Sequence, residues 1–202
     1  MILYIHGYQG SPGYKLELVK RVFGDMYANI QAPQLQNTDA SADLKLLNGL
    51  LPAETGTAAT VKHPHLIIGH SLGGFYAWHL CRHRQDDCVC LLINPALTPF
   101  ISFKKHPAIT RVFLKQLFDC FAQVYLQEYE SKVWVAYCQD DEEVNHVTTT
   151  ELILKKPKRE KWNENVFFPV PAGGHRFWDE YELERIFLKV KQDIQSNDYF
   201  PY

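Results

Sequence analysis

Ser71 constrains this chain more than any other residue. It lies in Gly69-His70-Ser71-Leu72-Gly73-Gly74, directly after the apolar run Leu66-Ile67-Ile68 and before a helix-like segment. A G-x-S-x-G element between a strand and a helix forces its serine onto a sharp turn, with the hydroxyl presented at the end of a sheet. The glycines have a steric reason. The backbone of such an elbow is strained, and a side chain at either position would crowd the adjoining strand or helix.

A serine hydroxyl is a poor nucleophile at neutral pH and needs a base, and the base needs an acid to fix its tautomer. On this architecture the expected order is serine, then Asp or Glu, then His. The run Val133-Trp134-Val135-Ala136-Tyr137 ends in Cys138-Gln139-Asp140-Asp141-Glu142-Glu143-Val144. Four contiguous acids cannot all aim at one imidazole. Asp141 and Asp140 are the candidates, and Glu142 is a weaker one because its side chain is longer. Val166-Phe167-Phe168-Pro169-Val170 then leads into Ala172-Gly173-Gly174-His175, which makes His175 the candidate base. His146 precedes that last strand and is a poorer choice. Each candidate follows a predicted strand, where open parallel sheets carry their active sites. A tetrahedral intermediate also needs donors for its oxyanion. The backbone N–H groups of Leu72 and of Tyr8, in the loop after Ile2-Leu3-Tyr4-Ile5, are the candidates.

Apolar runs alternate with helix-like segments, which predicts an α/β fold with a mostly parallel sheet. The predicted strands are 2–5, 28–31, 65–68, 89–93, 133–137 and 166–170. The predicted helices are 14–23, 41–51, 73–84, 110–126, 147–154 and 177–194. At 202 residues and 46% hydrophobic content, the chain reads as one globular domain over 1–202. The stretch 95–132 is longer than one crossover needs. It is rich in phenylalanine (Phe100, Phe103, Phe113, Phe118, Phe121). It is read as part crossover helix and part cover for a substrate pocket.

A formal net charge of −2 argues against nucleic acid as a partner. The basic run Lys155-Lys156-Pro157-Lys158-Arg159 reads as a solvated loop. Five cysteines without a signal-peptide pattern point to thiols in a reducing, cytoplasmic setting. No apolar stretch is long enough to span a membrane. His79 and His83 share a helix face at i, i+4 spacing, but no third ligand accompanies them, so no metal site is expected. His6 reads as a turn-holding residue. His70 is open between lining a pocket and packing.

Four segments, LYIHGYQGSP, IIGHSLGGFYA, LLINPAL and GGHRF, together resemble the small bacterial YqiA/YcfP-like esterase family of the α/β-hydrolase superfamily. The resemblance spans nearly the whole chain. It implies a reduced α/β-hydrolase fold of about six mostly parallel strands, helices on both faces and a short lid-like insertion at 95–132. It also implies the sheet order 2-1-3-4-5-6. In this family pattern Ser71 would be the nucleophile, His175 the base and an aspartate near 141 the acid. Larger relatives carry a glycine three residues before the acid and a valine three after it. Cys138 departs from the glycine, while Val144 fits Asp141. The implied activity is hydrolysis of a small or medium acyl ester or thioester without a cofactor. The alternatives are a non-catalytic ligand-binding protein or an acyltransferase on the same fold.

Overall fold

Six strands pair into one parallel sheet, whose central members are buried on both faces and need near-continuous apolar sequence. In the computed structural model the strands are β1 (Ile2–Ile5), β2 (Ile30–Gln31), β3 (His65–His70), β4 (Cys88–Ile93), β5 (Val133–Cys138) and β6 (Val166–Val170). The structure describes residues 1–52, 63–84, 88–125, 132–146, 149–150, 152–154 and 165–196. The sheet order is β2-β1-β3-β4-β5-β6, as expected. Register sets Ile5 opposite Gly69 and His70 opposite Ile93, so the ends of β1, β3 and β4 meet at one edge. The strand order reverses between β1 and β3, where an open sheet leaves a crevice.

Alternation along the strands divides the core into two layers. Leu3, Ile67, Leu92 and Val135 face one side with α2 (Ala40–Leu50), α3 (Leu72–His83) and α5 (Arg111–Tyr125). Tyr4, Ile68, Leu91 and Trp134 face the other with α1 (Gly13–Phe23) and α7 (Glu180–Gln195). The buried Trp134 indole donates to Asp193 of α7 at 2.9 Å, which fixes that helix on the sheet. All five cysteines are buried thiols, and Cys88 and Cys90 face the same layer.

Most boundaries shift by one or two residues from the sequence reading, and two of the differences have a bearing on the site or the sheet. Strand β2 holds two residues rather than four. Helix α7 starts at Glu180 rather than 177, because Phe177 takes φ +53 and Asp179 caps the helix by accepting from the Glu182 N–H at 2.9 Å. The expected helix 147–154 falls partly outside the described residues, which contain its last turn, α6 (Leu152–Leu154). The run 155–159 lies outside them altogether.

Within 95–132, α4 (Pro99–Ser102) packs on α5, the turns after it sit beside the β1 loop, and α5 packs on α2 and α3. Its phenylalanines do different things. Phe113 is core, Phe121 packs 5.9 Å from Trp78, and Phe118 is exposed beside Phe100. Of the five, Phe103 alone lines the cleft described next.

Candidate active site

The elbow has the strain that its glycines imply. Ser71 adopts φ +53 and ψ −120. A Cβ on Gly69 would lie 2.2 Å from the Gly73 carbonyl oxygen, and one on Gly73 would lie 2.1 Å from that of Ile5. Neither position can accept a side chain without moving backbone. The turn is held by Ser71 N–H donating to Ile93 O at 3.0 Å and by Ser71 O accepting from Gly74 and Ala96 N–H.

Ser71 Oγ–H donates to His175 Nε2 at 2.7 Å. On the far side of the ring, Nδ1–H donates to Asp141 Oδ2 at 2.9 Å. The structure therefore brings Ser71, His175 and Asp141 into one line. Asp141 is held locally by an Asx-type turn, its Oδ1 accepting from the N–H groups of Glu143 (2.8 Å) and Val144 (3.0 Å). Its side chain is 1% exposed. Burial pushes this carboxyl up, but hydrogen bonds from His146 and His175 outweigh that and hold it well below the usual carboxylate range.

The neighbouring acids are not idle. Asp140 is exposed but does not simply face solvent: its carboxylate accepts from Gly173 N–H at 3.2 Å and Gly174 N–H at 2.9 Å. Glu142 accepts from His175 N–H at 3.3 Å. Glu143, 54% exposed, comes within 3.5 Å of His175 Nε2.

Three residues do work that the sequence reading did not assign. His146, read there only as a weak rival base, donates from Nε2 to Asp141 Oδ2 at 2.7 Å. Its Nδ1 lies 3.0 Å from the buried Thr150 hydroxyl. Asn94 is fully buried at the end of β4. Its Nδ2 donates to Gly174 O and His175 O, both at 2.9 Å, while its Oδ1 accepts from Cys138 N–H at 2.7 Å. An asparagine ending an apolar strand was the available signal, since buried amides need partners. His70 lines the cleft and donates from Nε2 to His175 O at 3.0 Å. Burial pushes its pKa down to about 3, so it stays neutral. His6 donates from Nδ1 to Gly7 O at 2.8 Å and holds its turn.

The Ser71–His175 edge opens on a cleft of about 550 Å³. The β1–α1 loop forms one wall. Gly7 lets it come close, since a Cβ there would lie 3.1 Å from Ser71 Cβ. Among the described residues no hydrogen bond occupies the N–H of Tyr8, in this loop, or of Leu72, at the start of α3. The Tyr8 ring packs edge-on against His106, 5.2 Å away, and its hydroxyl donates to Ala108 O. Among the described residues no group of three or more His, Cys, Asp or Glu side chains could hold a metal ion. None of the described helices is long and apolar enough to cross a membrane.

Sheet order, elbow and the crevice at the strand reversal define the α/β-hydrolase fold. Solved structures agree. The mouse alpha/beta hydrolase domain-containing protein 10 matches with TM-score 0.72 at 15% identity, covering 97% of this chain and 90% of its own. A monoacylglycerol lipase from Paleococcus ferrophilus matches at TM-score 0.67 and 14% identity, over 96% and 93%. Est1E from Butyrivibrio proteoclasticus, with ferulic acid bound, matches at TM-score 0.68 and 12% identity, over 96% and 89%. Residues 1–151 match the Uncharacterised protein family (UPF0227), and the chain belongs to that family, the YqiA/YcfP group its motifs resemble. Among curated proteins none matches significantly.

Proposed function

We propose that the protein is a serine esterase that cleaves a small or medium acyl ester or thioester through an acyl-enzyme. The observation that carries this reading is the relay from Ser71 Oγ through His175 to Asp141, with links of 2.7 and 2.9 Å. Ser71 attacks the acyl carbonyl while its proton passes to His175 Nε2. Asp141 keeps the Nδ1–H tautomer and stabilises the imidazolium. The Tyr8 and Leu72 N–H groups receive the oxyanion. His175 then protonates the leaving alcohol or thiol. A water deprotonated by the same imidazole releases the acid and restores Ser71. No cofactor enters these steps.

Residues 1–202 are read as one hydrolase domain, with the 99–110 stretch of the 95–132 insertion as a lid and Phe103 as its contact to the acyl group. The buried thiols support a reducing, cytoplasmic setting. A lipase among the fold relatives supports ester cleavage as the chemistry.

The test is hydrolysis of 4-nitrophenyl butyrate by the protein and by Ser71→Ala, together with labelling by a fluorophosphonate. Loss of the serine is expected to lower kcat by about 10⁶-fold and to abolish the label. Undiminished turnover, or a label on another residue, overturns the reading.

A further inference from the structure

Lys15 has no task in the reaction above, yet it lines the same cleft as Ser71 and His175. It sits in the first turn of α1 and is 7% exposed. Its ammonium donates to Arg176 O at 2.6 Å and lies 4.5 Å from the centre of the Tyr14 ring. Both partners are neutral. Arg176, the residue after His175, also lines the cleft, its guanidinium 5.6 Å from the Trp178 ring centre. Among the described residues no carboxylate forms an ion pair with either cation. Burial pushes the Lys15 pKa down to about 8, and the Arg176 charge adds to that fall, so the ammonium is still mainly cationic at neutral pH.

A buried ammonium without a counter-ion is costly, because a carbonyl and a ring face replace only part of its hydration. A second positive charge beside it adds repulsion. An anion arriving in the cleft relieves both terms. Arginine offers a planar fork that matches carboxylate or phosphate, and lysine adds a compact charge. The pair is also rigidly held relative to the relay. The Tyr14 hydroxyl donates to Phe177 O, so the start of α1 is bonded to the segment that carries His175.

We propose that Lys15 and Arg176 form a subsite for an anionic group, a carboxylate or phosphate, carried by the ester substrate. The proposal rests on the esterase reading of Ser71. The anion can ride on the acyl part or on the leaving group, and the two carriers are separable.

Two substrate pairs test this. 4-Nitrophenyl hemiglutarate and 4-nitrophenyl pentanoate differ by a carboxylate at the acyl end. The butyrate esters of 2-hydroxyethyl phosphate and of 2-methoxyethanol differ by a phosphate on the leaving side. For one pair, the anionic-to-neutral ratio of kcat/KM is expected to fall by about tenfold or more in Lys15→Gln and in Arg176→Gln, with Arg176→Lys retaining part of it. The pair that responds identifies the carrier. A ratio unchanged in both pairs and both glutamine variants overturns the subsite. Arg176 is exposed, so its variant carries the test if Lys15→Gln does not fold. Calorimetric titration of Ser71→Ala with the two anionic esters measures binding without turnover. Adding Arg176→Gln to that variant should weaken one of them by about tenfold, and equal affinity would refute the proposal. Persistent hydrolysis by Ser71→Ala would instead sink the esterase reading, while the kcat/KM ratios still decide the subsite.

Discussion

Replacing Asn94 with alanine probes how the segment carrying His175 is held. The amide makes three buried hydrogen bonds, to Gly174 O, His175 O and Cys138 N–H, at 2.9, 2.9 and 2.7 Å. At about 1 kcal/mol net for each, their loss costs about 3 kcal/mol. Asn94 also sits at φ +41, where alanine adds about 1 kcal/mol that glycine does not. Asn94→Ala is therefore expected to lose about 4 kcal/mol and Asn94→Gly about 3 kcal/mol. With a urea slope of about 2 kcal/mol/M, the alanine midpoint moves down by about 2 M. Asn94→Asp keeps the acceptor for Cys138 but turns an oxygen toward two carbonyl oxygens, so at neutral pH it should be no better than alanine. Urea unfolding followed by fluorescence measures the order, and kcat on 4-nitrophenyl butyrate should fall with it. An alanine variant within about 1 kcal/mol of the parent, with full activity, would refute the reasoning. A glycine variant less stable than alanine would refute the backbone part alone.

His146→Phe removes one donor from Asp141 and should lower kcat by about tenfold with little change in KM, His146→Gln restoring part; steady-state kinetics decide, and an unchanged kcat would show that His175 and the Asx turn suffice. Asp141 titrates below its ordinary range in the folded protein, so its ionised form contributes stability that is present above about pH 4 and lost as the pH falls further. The stability gap between the parent and Asp141→Asn should accordingly not shrink from pH 8 down to about pH 4, and should close below it; chemical denaturation across that range is the measurement. Gly69→Ala drives a Cβ to 2.2 Å from the Gly73 carbonyl oxygen, so calorimetry should find Tm lower by about 10 °C or more, or no folded protein at all.

Strands β1, β3, β4 and β5 were legible because they are buried on both faces and leave long apolar runs, as in Leu66-Ile67-Ile68. The elbow was legible because sterics leave no residue but glycine at 69 and 73. The start of α7 was misread for a comparable reason. Phe177 and Trp178 extend an apolar pattern, yet the left-handed backbone at Phe177 and the cap at Asp179 break it. Between Asp140 and Asp141 the sequence left the choice open. The difference between them is one of loop geometry, one carboxylate turning to the imidazole and the other to the Gly173 and Gly174 amides. The partners of Asn94 lie about 40 to 80 residues away, and no local pattern names them. The phenylalanines of 95–132 could not be sorted, because an amphipathic helix rich in aromatics on several faces has no unique phase.

The segment 173–177 is tethered from many directions. Its amides bond Asp140 and Glu142, and its carbonyls bond Asn94, His70, Lys15 and Tyr14. These anchors lie in β3, just past β4, in α1 and in the loop after β5, so the segment is a surface turn in sequence and a joint in mechanics. Loops of this kind usually open far below the global unfolding free energy. This one has no private route out: releasing His175 means dismantling contacts to four separate parts of the chain at once. The imidazole is therefore coupled to the cooperative unit of the sheet itself, and on the proposed esterase reading catalytic competence and global foldedness become nearly the same variable.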